Sequence, residues 1–516
     1  MAREPSPNHD RRVWWLAFLA FIVIGIGWTM AMPLLAQPDE PSHAQRAAAV
    51  ARGQLTWNAR EKFVDDQFLG IQRTNTVIDI PAGYAVLEDL PVCFVFEKGT
   101  TAECVPEISS SDTIIEARPY TGTYPPLTPI LQSPGGHFDA PVGLVLMRLC
   151  TVLATAALMA SAVVAARRLR SGLLIAGFAL ALTPMTVSIL AAINPSAIEL
   201  AAGACLWLSL IDLLRSESVE RRAVWRAVIS GTVFILSRPT SPIFFVVIVV
   251  VLMIAMPWRD RFAEICRERR AWVWAAVLGV AFVVAVVWIL VARPDQAVIG
   301  TPDPRSVGDV LEESLSRIPR RSGQLVAPIG WLDIQLPQAL VSAWLAMGAL
   351  LAVVALLVGS WRRRLALALL VAGVVVGPSV AELPNADQVG LVWQGRYTMP
   401  IAMGLTILAA WTLHERGLDR VSSIRALSVG TVVAVGASNL LAVAATLTRH
   451  ATGSSWPIDV TLGSQPWSAG VHGWLVLLVS GTGLALLTAL LAVMATRSGR
   501  PRVTPTEPDT STLPVA

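Results

Sequence analysis

Residues 271–292 read AWVWAAVLGVAFVVAVVWILVA, 22 positions without one charged side chain. As a helix rising 1.5 Å per residue, this run is about 33 Å long, enough to cross the ~30 Å hydrocarbon core of a bilayer. Similar runs recur along the 516 residues, which are 54% hydrophobic and only 15% charged. A soluble chain would carry roughly a quarter charged residues. The reading is an all-α, polytopic membrane protein. About twelve spans are expected, at 13–35, 139–165, 173–192, 196–214, 223–237, 240–257, 271–292, 338–360, 364–382, 398–414, 424–447 and 472–496. The fifth and sixth meet at SRPTSP (237–242), where two prolines forbid one continuous helix; they read either as two separate spans or as a re-entrant element.

Charge orders the connections. An even number of spans puts both ends on one side and assigns the loops alternately. One set of short loops holds most of the 40 basic residues, among them Arg11 and Arg12, Arg167 to Arg170, Arg221 and Arg222, Arg267 to Arg270 and Arg362 to Arg364. Basic loops stay in the cytoplasm, so both termini are expected inside. Residues 1–12 form a cytoplasmic stub, and the polar, Pro/Thr-rich 497–516 a disordered cytoplasmic tail. The opposite set holds the long loops, 34–138, 293–337, 383–397 and 448–471. The functional mass is therefore expected on the extracytoplasmic face of a plasma membrane. The pI near 9.0 follows from the inside bias and contact with anionic lipid, not from nucleic-acid binding. The first span, led by Arg11 and Arg12, reads as a retained signal anchor.

Five cysteines divide by compartment. Cys93 and Cys104 lie eleven positions apart in the large outer loop, where oxidising conditions permit a disulfide. Cys150 and Cys205 fall in spans and Cys266 in the cytoplasmic set, all three as packing or surface residues. Within the large loop, PSHAQRAAAVARGQL (41–55) reads as a helix of about four turns lying on the membrane surface, with Gly53 as its stop. TVIDIPAGYAVLE (76–88) and CFVFEKGTTAEC (93–104) suggest short strands and turns.

Two carboxylates, Asp39 and Glu40, stand at the start of that helix, with His43 one turn on. They could cap the helix and complement its dipole, hold a divalent cation, or act as a general base. Other outer junctions carry polar clusters too: Tyr124 in TGTYPPL, Asn194 in AINPSA, Trp331 and Asp333 in GWLD, and Gln394, Arg396 and Tyr397 in WQGRYTMP. Each has an ordinary explanation. Aromatics favour the interface, Asn-Pro makes a turn, and an Arg near a helix end can snorkel. An Arg in a Gly-Arg-Tyr turn at membrane depth nonetheless needs an anionic partner, and cations are scarce in the short outer connections.

Taken in order, QPDEPSH, the CFVF stretch with its second cysteine, YPPL, TPM with NPS, GWLD and WQGRYTMPI resemble the bacterial multipass membrane family called domain of unknown function 2142. The resemblance runs from about residue 13 to 496. The chain departs from the pattern at Ser196, where an acidic residue is expected after Asn-Pro, so any role of an acid there is open. The family is in turn similar to the integral-membrane glycosyltransferases of the C superfamily, which carry an acidic motif in the first outer loop and take sugar from a polyprenyl-phosphate donor. The resemblance implies Asp39 or Glu40 as the base, raised in pKa by partial burial, and Arg396 on the leaving phosphate. It implies His43, Tyr124, Asn194, Trp331, Asp333, Gln394 and Tyr397 around an envelope glycan or glycolipid acceptor. No cofactor is required, since the donor brings its own activated phosphate, though Asp39 and Glu40 could hold a divalent cation. The other readings are a transporter or flippase of lipid-linked sugars, with ionisable residues in mid-span, and a non-catalytic envelope-assembly protein.

Overall fold

The computed structural model describes residues 7–65, 71–88, 90–216, 218–293, 299–300, 306–386, 390–459, 463–465 and 470–497. The expected tail beyond Arg497 lies outside them. Every apolar run expected to span is helical, but not every run is one helix. Among the described residues seven helices are long and apolar enough to cross a membrane, or up to eight if the Ser241–Ala255 and Arg259–Arg267 pair, bent by 117°, counts as one span. The seven are Pro7–Ala31, Ala140–Arg168, Pro195–Arg215, Ala271–Ala292, Gln338–Val358, Ser422–Thr452 and Gly473–Arg497.

Twelve spans are thus not established, and proline explains much of the difference. Run 173–192 is broken into Gly172–Ala181 and Pro184–Ile189, and run 364–382 into Trp361–Val375 and Gly377–Glu382, where Pro378 follows the break. Proline lacks the N–H that would continue the ladder and clashes with the preceding turn. Helices Arg221–Ile235 (15 residues) and Met399–Glu415 (17 residues) are continuous but short, about 22–26 Å at 1.5 Å per residue. A helix broken at membrane depth needs partners for its freed carbonyls. Side chains supply them: Trp344 Nε1 donates to Leu180 O at 3.0 Å, and Asn439 Nδ2 donates to Leu182 O at 3.0 Å.

The first helix packs between Ala140–Arg168 and Gly473–Arg497, so the two ends of the chain meet in one bundle. Pro195–Arg215 continues that layer between Ala140–Arg168 and Arg221–Ile235, and Met399–Glu415 packs on Gly172–Ala181. Outside the bundle, the first large loop makes a unit of its own. Strands Ala59–Asp65, Ile71–Pro81 and Ile114–Ala117 pair antiparallel in that spatial order, with Ile78 opposite Ala117, and Ile299–Gly300 pairs with Ile71–Pro81. Strand Ile71–Pro81 meets the sequence expectation. The CFVF stretch does not form a strand but two short turns, Pro91–Cys93 and Ala102–Cys104, joined by the Cys93–Cys104 disulfide.

Helix Glu40–Ala51 stops as expected, with Gly53 at φ 82°, but it does not lie on a surface. Residues 40–50 are all buried. Its Ala44, Ala47 and Ala48 share a core with Ile78, Ile80 and Leu144. Small side chains let neighbours approach closely, and the polar residues each find a partner. Gln45 Nε2 donates to Ala85 O at 2.9 Å, Arg46 Nη1 donates to Gln54 O at 2.9 Å, and Ser42 Oγ accepts from Thr121 N at 3.2 Å. A buried helix is admissible once such groups are paired.

Candidate functional site

Asp39 and Glu40 are neighbours with different surroundings. Glu40 is fully buried in an ion pair with Arg148. Arg148 Nε donates to Glu40 Oε1 at 2.8 Å and its Nη2 to Oε2 at 2.5 Å. The same guanidinium takes Met32 O and Pro33 O at 2.7 Å each, and Ile193 N donates to Glu40 Oε1 at 3.2 Å. The pair therefore ties the end of the first helix, the start of the Glu40–Ala51 helix and the Ala140–Arg168 helix together. Glu40 does not line the cavity that Asp39 faces.

Asp39 turns the other way. It occupies the position before the Glu40–Ala51 helix at φ 60°, yet its side chain makes no capping hydrogen bond. Of the three uses open to the acid pair, Asp39 does not take up capping. Its Oδ1 accepts from Tyr120 Oη at 2.9 Å, and its Oδ2 accepts from Arg396 Nη2 at 2.7 Å. The local sequence holds it there: Asn194 Nδ2 donates to Pro38 O at 2.7 Å, and His43 N to Asp39 O at 3.1 Å. Asp39 faces a cavity of about 530 Å³. Two other residues with left-handed backbone, Phe96 (φ 65°) and Leu332 (φ 65°), line the same cavity. Non-glycine residues adopt that conformation at a cost, and such residues cluster at functional sites.

The cavity wall opposite Asp39 is cationic. Arg396 comes from the Gly395–Thr398 turn before helix Met399–Glu415, and Arg238 from the proline turn before helix Ser241–Ala255. Both guanidinium groups lie over one ring, Tyr397, with Cζ at 5.2 Å for Arg396 and 4.8 Å for Arg238; Arg238 is also 5.8 Å from the Tyr124 ring. Arg238 Nη1 donates to Ser196 Oγ at 3.0 Å and stands 3.6 Å from Glu199 Oε2, while Ser241 Oγ donates to Glu199 Oε1 at 2.6 Å. Arg396 is 3% exposed and Arg238 8%. The Nε of each is buried without a hydrogen-bond partner among the described residues. Buried donors that lack partners are costly, and two like charges over one ring repel. An anion entering the cavity offsets that repulsion.

The sequence-derived candidates sort into two groups. Asp39, Tyr124, Trp331, Gln394, Arg396 and Tyr397 line the cavity together. His43 stands behind it, its ring edge-on to Tyr124 at 5.3 Å. Asn194 caps helix Pro195–Arg215 through Ser196 N at 2.8 Å and holds Pro38. Asp333 pairs with Arg449 at 3.1 Å. Glu40, Asn194 and Asp333 are therefore scaffold rather than lining. Since Arg148 holds Glu40 and Arg396 holds Asp39, the two carboxylates do not converge on a shared cation. Among the described residues no group of three or more His, Cys, Asp or Glu is arranged to hold a metal. Sequence reading missed Arg238, Tyr120 and the arginines of RIPRR (317–321), which also line the cavity. For Arg238 the available signal was a cation in a short outer turn, where cations are rare.

Burial alone would push the Asp39 carboxyl up, but the Arg396 guanidinium, helped by the Tyr120 hydroxyl, outweighs it and holds it below the ordinary aspartate range. The expected upward shift is thus reversed: the carboxylate is ionised at neutral pH. Burial pushes His43 down to about 3, so it is neutral there, and burial raises Tyr124, which keeps its proton.

Long apolar helices and a charged cavity built from the segments between them define a multi-pass membrane protein with a polar site. Within that class the chain belongs to the family described as "Predicted membrane protein (DUF2142)", whose model matches residues 21–405. Among solved structures it is similar to ArnT from Cupriavidus metallidurans, determined bound to undecaprenyl phosphate, at 14% identity and TM-score 0.42, over 94% of this chain and 77% of that one. No curated protein sequence matches it.

Proposed function

We propose that this protein is an inverting membrane glycosyltransferase that takes sugar from a polyprenyl-phosphate donor and transfers it to an envelope glycan or glycolipid on the extracytoplasmic face. The observation that carries the reading is one ionised carboxylate, Asp39, facing a cavity whose wall holds two buried guanidinium groups with unused donors. A lipid-linked phosphate sits at headgroup level because its chain is held in the bilayer. Arg238 and Arg396 receive that phosphate, and forked guanidinium donors suit its oxygens. As the phosphate engages Arg396, its charge offsets the cation that keeps Asp39 ionised. Asp39 loses its strongest stabilising charge and becomes a better base, so base strength appears only when donor is bound.

The acceptor hydroxyl gives its proton to Asp39 Oδ2 while its oxygen attacks the anomeric carbon. The bond from that carbon to the phosphate oxygen breaks, and the electron pair leaves on the polyprenyl phosphate, against the two arginines. Trp331 and Tyr397 flank the sugar. The extracytoplasmic placement rests on the sequence charge bias, because every cavity-lining segment belongs to the outer set of connections.

The test uses membranes supplied with labelled polyprenyl-phosphate sugar. Asp39→Asn keeps an acceptor for Tyr120 but cannot take a proton, and transfer is expected to fall at least ~100-fold with expression intact. Arg396→Lys keeps the charge but loses the fork, with an expected loss of at least ~10-fold, about 1.4 kcal/mol of barrier. Full activity in Asp39→Asn overturns the assignment of the base. A wild-type protein that moves labelled lipid across the bilayer without cleaving it favours a flippase instead.

A further inference from the structure

The cavity carries more cationic groups than one phosphate uses. Arg317, Arg320 and Arg321 line it from a separate element, the turn and short helix that enclose Ile318–Gly323. Two of them are fixed by the fold. Arg317 Nη1 donates to Leu391 O at 2.8 Å, and its other branch pairs with Glu313. Arg321, 6% exposed, pairs with Glu382 at 3.3 Å and donates to Ser379 Oγ at 3.2 Å. Its Nε remains buried with no hydrogen-bond partner among the described residues. Arg320 stands between these two anchored neighbours, exposed, and its side chain makes no ion pair or hydrogen bond among the described residues.

This wall is set directly against the first. Gln324 Oε1 accepts from Gly395 N at 2.8 Å, and a Cβ on Gly395 would come 2.1 Å from Arg321 O. Only glycine permits that approach, which holds the arginine helix beside the turn that carries Arg396. The acids that line the cavity are Asp39 and Glu88. Asp39 repels an anion from its own side, so a second negative group is drawn towards the 320–321 wall.

Resting on the glycosyltransferase reading, we propose that the cavity holds a second anion subsite, formed by the free Arg320 guanidinium beside the buried cation Arg321, for a phosphate or carboxylate distinct from the donor phosphate at Arg238 and Arg396. That group has two sources: the outer phosphate of a diphosphate-linked donor, or an acidic group on the acceptor sugar. Either source makes the substrate pair carry two negative groups, one per wall, with Asp39 facing the gap between them.

Full-length protein in detergent is titrated with a polyprenyl monophosphate and with the matching diphosphate. Arg320→Gln, an exposed and unpaired position, is expected to weaken the diphosphate at least ~5-fold and leave the monophosphate within ~2-fold if the donor supplies the second anion. If both lipids bind unchanged, the protein is titrated with glucose 6-phosphate and glucose. A wild-type preference for the phosphorylated sugar of at least ~5-fold that Arg320→Gln abolishes assigns the group to the acceptor. The subsite is overturned if Arg320→Gln alters neither preference, and equally if it weakens the monophosphate as much as Arg396→Lys does, since Arg320 then belongs to the first site. Failure of the glycosyltransferase reading is separate: wild-type membranes then transfer no labelled sugar, while the binding titrations still report on Arg320.

Discussion

Asp39 stands just before the helix with a left-handed backbone (φ 60°) and Glu40 is the first helical residue, and that change of backbone direction decides the duties of the two acids. One carboxylate enters the core to meet Arg148; the other reaches the cavity to meet Arg396. Glu40→Gln strands a buried guanidinium, a change that costs ~3–5 kcal/mol when one partner of a buried pair is removed. The expected outcome is a loss of folded protein in detergent, in contrast to Asp39→Asn, which folds and fails in transfer. Well-folded but inactive Glu40→Gln would move the base to Glu40. His43 gives a pH signature. It titrates near 6.5 when unfolded but at about 3 when folded, because burial disfavours its charge. The stability it contributes is therefore full above pH 6.5 and is lost as pH falls towards 3. At pH 5 that is about 2 kcal/mol. His43→Phe keeps the edge contact with Tyr124 and removes the titration, so its Tm should fall less than that of wild type between pH 7 and pH 5. Equal falls would show that His43 is not held neutral. The sequence marked the acid pair as a site but not which acid faced the cavity, because that depends on backbone direction against partners more than 100 residues away. Arg238 was illegible for a plainer reason: one arginine between serine and proline reads as a turn.

At the scale of elements, the site is assembled from ends and turns. Asp39 precedes a helix, Arg238 and Arg396 sit in the turns before two others, and Arg320 rides a short helix between spans. Elements that begin at the cavity can aim a side chain there without opening the bundle. The long apolar runs were legible because hydrophobicity over about 20 residues has one main interpretation. The breaks were not: at Pro184 the carbonyls before the break are taken up by distant side chains, Trp344 and Asn439. The Glu40–Ala51 helix was legible in extent, but its burial was not, for the same reason. The disulfide loop allows a test at this scale. Residues 91–104 bring Pro91, Val95 and Phe96 to the cavity wall. Arg449 anchors the loop by donating to Thr100 O, Phe94 O and Glu97 O at 2.8, 3.0 and 3.1 Å. The disulfide closes the loop, whereas Arg449 places it. Replacing Cys93 and Cys104 by Ser is expected to lower stability by about 3 kcal/mol through the unfolded chain, with KM for donor changed less than ~3-fold. Arg449→Met should raise KM more strongly, because it strands Asp333 and frees the loop. A larger KM effect from the cysteine pair than from Arg449→Met would reverse the two roles.

For the whole molecule, the cavity joins distant parts of the chain: the Asp39–Arg396 pair spans 357 positions in sequence. Such a site can work on a membrane-held donor only if all its walls open on one leaflet. The basic residues give that leaflet a sign, since the arginine-rich set of connections should remain in the cytoplasm and the cavity-lining segments belong to the other set. Two exposed positions report on the two sides. Phe96 is 59% exposed at the cavity rim. Cys266 is exposed on helix Arg259–Arg267, among the arginines of the opposite set. A membrane-impermeant maleimide applied to intact cells should label a Phe96→Cys variant, because Cys93 and Cys104 are already bonded to each other. Cys266 should be labelled only after permeabilisation, and a Cys266→Ser background makes the first signal unambiguous. Labelling of both positions from outside, or of Phe96→Cys only after permeabilisation, would put the cavity where an extracytoplasmic donor cannot reach it. Arg238 and Arg396 would then face a cytoplasmic anion, and a lipid-linked sugar presented on the outer leaflet could not be the substrate.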